Sequence, residues 1–246
     1  MGADKIRLDK LLVERGVAPT REKARALILA RAIKVNEDYP DKAGALVATD
    51  AQLKIIGEEN PYVSRGGLKL RGALEEFKLD VRNLTVLDVG ASTGGFTDCL
   101  LQAGARKVYA LDVGYGQLAW KLRQDERVVV IERENIRYYD GRHLQEAPEL
   151  ATIDVSFISL KIVLPPVVKL LDRAGRILAL IKPQFEAGKS EVGKKGLVKD
   201  PAVHERVIRK IADFGSSLQM DVEGSCASRL LGPAGNKEFF ILLRKK

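Results

Sequence analysis

Cysteine and histidine are nearly missing from this 246-residue chain. Cys99 and Cys226 lie in separate segments with no CxxC spacing, and His143 and His204 are equally scattered, which argues against a disulfide scaffold and a Cys/His metal site. No metal is expected. Long apolar runs are missing too. Pieces such as ILALI fall far short of the roughly 18 residues that a membrane span needs. The first 25 residues carry charge throughout, so neither a membrane helix nor a secretory leader is expected. These absences predict a cytoplasmic protein that makes no use of a membrane. Internal repeats and low-complexity segments are also absent.

What is there is an ordinary globular composition, nearly half apolar, enough for one large domain or two unequal ones. The net charge of +8 is unevenly spread. Lys5 to Lys34 holds nine Lys/Arg against three Asp/Glu, whereas Val35 to Asn60 holds two against six. RLDKLLVERG, with Leu8, Leu11 and Leu12 at helical spacing and Gly16 as a stop, is followed by TREKARALILARA with Thr20 as N-cap. Short strand-like pieces, IKVN and AQLKIIG, complete a small α+β unit. GEENPY marks a linker, giving expected boundaries of 1–58 for the first domain, 59–64 for the linker and 65–246 for the second domain. There TVLDVG, KVYALDVG, VVVIE, ATIDVSF and RILALIK alternate with helix-length segments, the pattern of a parallel sheet covered on both faces. QMDVEGSCAS and NKEFFILLRKK follow with only a loop between, so an antiparallel pair should close the sheet. The fold class is α/β: a mostly parallel seven-stranded sheet whose last strand is antiparallel, preceded by the small α+β domain.

VLDVGASTGGFTDCLLQAGA reads as strand, glycine turn and helix, which aims backbone N–H groups at a ligand. Its glycines do not make the dinucleotide GxGxxG pattern. Asp112 ends the next strand, 24 residues after Asp88, where a carboxylate can accept from ribose hydroxyls. ERENIR, with Asn135, follows the third strand. All three clusters fall at carboxyl ends of strands, where open α/β sheets bind ligands. These segments resemble the S-adenosylmethionine-dependent methyltransferases of the Rossmann-like class. The resemblance implies S-adenosyl-L-methionine as cofactor, with Asp88, Gly90, Ala91, Ser92, Gly94, Gly95, Phe96, Asp112 and Asn135 as its contacts.

Asp154 ends the fourth strand and Lys182 the fifth, so the two should stand side by side at the ligand-facing edge. SRGGLKL places Lys69 on the first helix of the second domain, and GPAGNKEFF places Glu238 near the start of the last strand. Taken by themselves, those two read as a solvated lysine and an edge-strand charge. Lys69, Asp154, Lys182 and Glu238 nevertheless fall where FtsJ-like ribose methyltransferases carry a lysine-aspartate-lysine-glutamate tetrad. SRGGLKL, VLDVGASTGGFTD, DVSFISL, IKPQFE and GPAGNKEFF together resemble the TlyA family, also named hemolysin A and known as ribosomal RNA 2′-O-methyltransferases. The resemblance runs from about residue 5 to the end and implies methylation of a ribose 2′-hydroxyl, with cytidine as the nucleotide.

That chemistry needs the 2′-oxygen held in line with the methyl donor, relieved of its proton and kept from water. Desolvation favours a neutral lysine able to accept or share a proton, whereas an adjacent carboxylate favours the ammonium. Lys182 is expected nearest the 2′-oxygen, with Asp154 positioning it and Lys69 and Glu238 orienting hydroxyl and lysine. An exocyclic-amine acceptor is disfavoured by DVSF, which lacks the Asn/Asp-Pro-Pro-aromatic turn. Carbon-five methylation of cytosine is disfavoured because neither cysteine sits at a strand end facing the site.

RLDKLLVERGVAPTREKARALILARAIKVN resembles the small RNA-binding domain first described in a ribosomal small-subunit protein. The resemblance makes Arg7, Lys10, Arg21, Lys23 and Arg25 the expected RNA contacts, through phosphates rather than bases. The expected partners are ribosomal RNA or ribosomal subunits; the sequence leaves the oligomeric state open, with a monomer favoured. Two other classes are weighed. A membrane-active hemolysin lacks the apolar segments it would need, and a non-catalytic RNA-binding ribosome factor would have no use for the tetrad.

Overall fold

The structure is a computed structural model that describes residues 4–29, 32–40, 42–55, 60–232 and 235–246. Gly57 to Glu59 of the expected linker stretch, and Pro233 and Ala234 of GPAGNKEFF, lie outside the described residues. The chain divides into two compact units, Met1–Pro61 and Tyr62–Lys246.

In the first unit, β1 (Lys5–Arg7) runs into α1 (Leu8–Glu14), followed by α2 (Arg21–Leu29), β2 (Ile33–Val35), β3 (Leu46–Ala48) and β4 (Leu53–Ile55). Gly16, at φ 69°, ends α1, and Thr20 Oγ1 accepts from Lys23 N at the start of α2. Leu8, Leu12, Ala24, Ile28, Ile33 and Val35 form the core. The strands pair as β1 with β3 and β2 with β4, both antiparallel. The β1–β3 pair is an addition to what the sequence pattern predicts, because three-residue strands are too short to show an alternation.

The second unit contains α3 (Gly66–Glu76), β5 (Thr85–Val89), α4 (Gly95–Gln102), β6 (Lys107–Asp112), α5 (Trp120–Arg123), β7 (Val128–Glu132), β8 (Leu150–Ile153), α6 (Leu160–Leu170), β9 (Arg176–Ile181), α7 (Pro183–Glu186), α8 (Pro201–Ser217), β10 (Met220–Ala227) and β11 (Phe239–Lys245). Its sheet has the order β10-β11-β9-β8-β5-β6-β7. The five strands from β5 to β9 are mutually parallel, and β11 is antiparallel to both of its neighbours. The fold is thus the seven-stranded, mostly parallel sheet that the alternating apolar runs predict.

Alternate residues of the central strands face opposite layers, as the two-residue period of a strand requires. Leu87, Ile153 and Ile177 pack with Val163 of α6 and Val207 of α8. Val86, Leu150 and Leu178 pack with Leu70 of α3 and Leu100 of α4 on the other face. From β5 the chain builds outward through β6 to β7, then returns to β8 on the other side. The switch point between β5 and β8 opens a crevice at the strands' carboxyl ends.

Candidate active site

The turn after β5 meets the segment after β8 at that switch point. Gly90 sits at φ 86°, and a Cβ there would lie 2.5 Å from the Asp154 carbonyl oxygen, so only glycine lets the two strand ends come this close. A Cβ on Gly95 would lie 2.2 Å from Ser64 Oγ. Beside these close approaches lies a cavity of about 280 Å³ whose lining includes Ser64, Arg65, Lys69, Gly90, Ala91, Ser92, Gly95, Phe96, Asp154, Ser156 and Lys182.

Two ion pairs define one side of this cavity. Lys182 Nζ stands 2.6 Å from Asp154 Oδ1 and donates to Ser156 Oγ at 2.9 Å. Lys69 Nζ donates to Glu238 Oε2 at 2.5 Å, with both side chains buried. Lys69 lines the cavity, while Glu238 holds it from behind. A buried ion pair is tolerated only when each charge has its partner. The four sequence-predicted residues therefore form two coupled pairs, three of whose members face the same space.

The expected cofactor contacts divide by position. Gly90, Ala91, Ser92, Gly95 and Phe96 line the cavity, and Phe96 is backed by the Phe240 ring at 6.1 Å. Gly94, at φ 95°, caps α4 in the left-handed conformation. Asp88 lies beneath the turn and is not part of the cavity lining. It is fully buried, accepting from Thr97 Oγ1 at 2.7 Å and Thr152 Oγ1 at 3.0 Å, so it ties β5, α4 and β8 together beneath the turn. Burial pushes its carboxyl up to about 7. Asp112 accepts from the backbone N–H of Ser92 at 2.8 Å and of Gly114 at 2.7 Å, which fixes the glycine turn from the neighbouring strand end. Asn135 is exposed beyond β7 and accepts from Arg137 N.

In the first unit, Arg7, Arg21 and Arg25 converge on one carboxylate. Asp9 Oδ2 lies 3.0 Å from Arg7, 2.9 Å from Arg21 and 3.6 Å from Arg25, with the Asp9 side chain buried and each arginine about half exposed. Hydrogen bonds from Arg7 above all, with those from Arg21, hold the Asp9 carboxyl well below the usual range against the opposing effect of burial. Lys10 pairs with Glu14 at 3.7 Å and Lys23 is exposed. Asp9, Ser156 and the buried Glu186 are signalled in the sequence only by their place inside the motifs RLDK, DVSF and KPQFE.

The glycine turn and the lysine-bearing wall thus face one crevice at the carboxyl ends of the strands. A parallel sheet with one reversed strand and this crevice defines the class of Rossmann-like S-adenosylmethionine-dependent methyltransferases. The FtsJ-like methyltransferase family matches residues 62–245, and the S4 domain matches residues 6–38. A Bacillus subtilis protein provisionally described as an rRNA methyltransferase, YqxC, is 51% identical over 99% of this chain and 87% of its own. The 16S/23S rRNA (cytidine-2′-O)-methyltransferase TlyA of Mycobacterium tuberculosis is 44% identical over 98% of this chain and 91% of its own. A solved Streptococcus thermophilus structure provisionally described as a hemolysin is 43% identical, with a TM-score of 0.79 over 100% of this chain and 90% of that one. The chain belongs to the FtsJ-like methyltransferase family and carries an S4 domain at its N-terminal end.

Proposed function

We propose that the protein methylates the ribose 2′-hydroxyl of a cytidine in ribosomal RNA, with Lys69, Asp154, Lys182 and Glu238 as the working set. When bound along the glycine turn, S-adenosyl-L-methionine supplies an electrophilic methyl group. The turn fits such a ligand because Gly90, Ala91, Ser92 and Gly95 line the cavity. The observation that carries the reading is the Lys182–Asp154 pair at the cavity wall. An ammonium has three N–H donors. Lys182 gives one of these to Ser156 and is ion-paired with Asp154, leaving donors for the 2′-oxygen, and the Asp154 carboxylate stands beside it to receive the hydroxyl proton. Lys69, held by Glu238, contributes a second positive charge that favours the developing alkoxide.

The S4 unit positions the substrate through phosphate contacts from Arg7, Lys10, Arg21, Lys23 and Arg25. In this reading the protein works as a cytoplasmic monomer on ribosomal RNA or subunits. The hemolysin name of some relatives finds no support in a membrane span: among the described residues no helix is long and apolar enough to cross a membrane. The test is methyl transfer from labelled S-adenosyl-L-methionine to ribosomal subunits, followed by digestion to nucleosides. 2′-O-methylcytidine is the expected product, and a base-methylated nucleoside would overturn the reading.

A further inference from the structure

Glu186 ends the motif KPQFE, yet it points away from the cavity. It is buried, and its carboxylate accepts from Leu160 N at 2.6 Å and from Ser159 Oγ at 2.7 Å. Ser159 is the N-cap of α6 and already accepts from Lys161 N. The helix thus has its own cap, and Glu186 adds a cross-link from the segment that follows β9 to the segment that follows β8. Burial pushes the Glu186 carboxyl up, a cost that a carboxylate left in solvent would avoid. From the other side, Lys210 of α8 donates to the Glu186 carbonyl at 2.7 Å.

The same two segments are joined at their other end by the methyl-transfer pair. Lys182 reaches Asp154 and Ser156, and midway the Phe157 and Phe185 rings meet at 5.1 Å. Phe157 is 90% exposed and has φ 63°, a left-handed backbone that a bulky residue seldom adopts. Such a conformation persists where the flanking structure over-determines it. Here Ser156 is held by Lys182 just before it, and Ser159 is held by Glu186 two residues after.

We infer that Glu186 is a positioning residue for methyl transfer: by clasping the N-terminus of α6 it sets the register of the segments 154–160 and 182–186, and so places Lys182 against Asp154 and Ser156. The inference rests on the assignment of Lys182 and Asp154 to methyl transfer. Small displacements of reacting groups are costly in rate while leaving substrate binding largely intact.

Four variants in the labelled-transfer assay test it: Glu186→Ala, Glu186→Gln, Ser159→Ala and, as reference, Lys182→Ala. Glu186→Ala should lower kcat by about 10- to 100-fold, with cofactor affinity and the KM for ribosomal subunits within about twofold of wild type. Glu186→Gln can accept from Leu160 N and donate to Ser159 Oγ, and should restore kcat to within about threefold of wild type. Ser159→Ala loses one of the two bonds and should cost about fivefold. Wild-type kcat in folded Glu186→Ala, or a loss in Glu186→Gln as large as in Glu186→Ala, would overturn the inference. If Glu186→Ala does not fold, as judged by its thermal transition, Glu186→Gln and Ser159→Ala decide in its place: a Glu186→Gln loss of about 10-fold or more, or wild-type kcat in Ser159→Ala, is the contrary result. Active Lys182→Ala would instead fault the assignment of the pair, which keeps the two failures distinct.

Discussion

Lys69 and Glu238 stand 169 positions apart in the chain and meet at 2.5 Å in the buried wall of the cavity. Removing either partner leaves the other charge buried and uncompensated. Lys69→Ala or Glu238→Ala should each cost about 3–5 kcal/mol of stability, measured by denaturant unfolding. The double change Lys69→Met with Glu238→Leu should recover most of that loss without recovering methyl transfer. A double variant as unstable as the singles would contradict the pairing.

Asp9 organises the arginine cluster of the S4 unit, the face proposed to contact RNA. Its folded carboxyl lies below the unfolded value of about 3.9, so the stabilisation from Arg7 and Arg21 is present above that value and is lost as pH falls through the folded one. At neutral pH, Asp9→Asn should release the three guanidiniums and weaken binding to a ribosomal RNA fragment by about tenfold, read by fluorescence anisotropy. Lys10→Ala, which removes only a phosphate candidate paired with Glu14 on the helix surface, should have the smaller effect. Equal effects would show that Asp9 does not set the arginines.

Asp88 works in the opposite direction. Its folded carboxyl titrates at about 7, above the unfolded value of about 3.9, so the folded state binds the extra proton between them. Its contribution to stability is fully present below about pH 4 and is lost as pH rises through about 7. The difference in unfolding free energy between wild type and Asp88→Asn should therefore turn against wild type by a few kcal/mol over that window and level off above about pH 8. A difference that stays flat would remove Asp88 as the titrating group.

Much of this was legible in the sequence because a two-sided parallel sheet writes its strands as apolar runs. The residues that end those runs, Asp154 and Lys182, are then brought to one edge by topology alone. Lys69 and Glu238 depended on resemblance, since nothing in a helix pattern or in an edge-strand charge announces a buried ion pair. The partners of Asp88 and Asp112 within the fold were not legible. A carboxylate at a strand end can bridge two threonines or cap a turn, and only the packed neighbours Thr97, Thr152, Ser92 and Gly114 show which bonds each makes. Glu186 was hidden for the same reason, its partners Ser159 and Leu160 lying on another element.

The most direct test of the account is the rate of label transfer from S-adenosyl-L-methionine to ribosomal subunits by folded Lys182→Ala. This variant should lose transfer by at least about 100-fold with cofactor affinity retained. Transfer at the wild-type rate would contradict it.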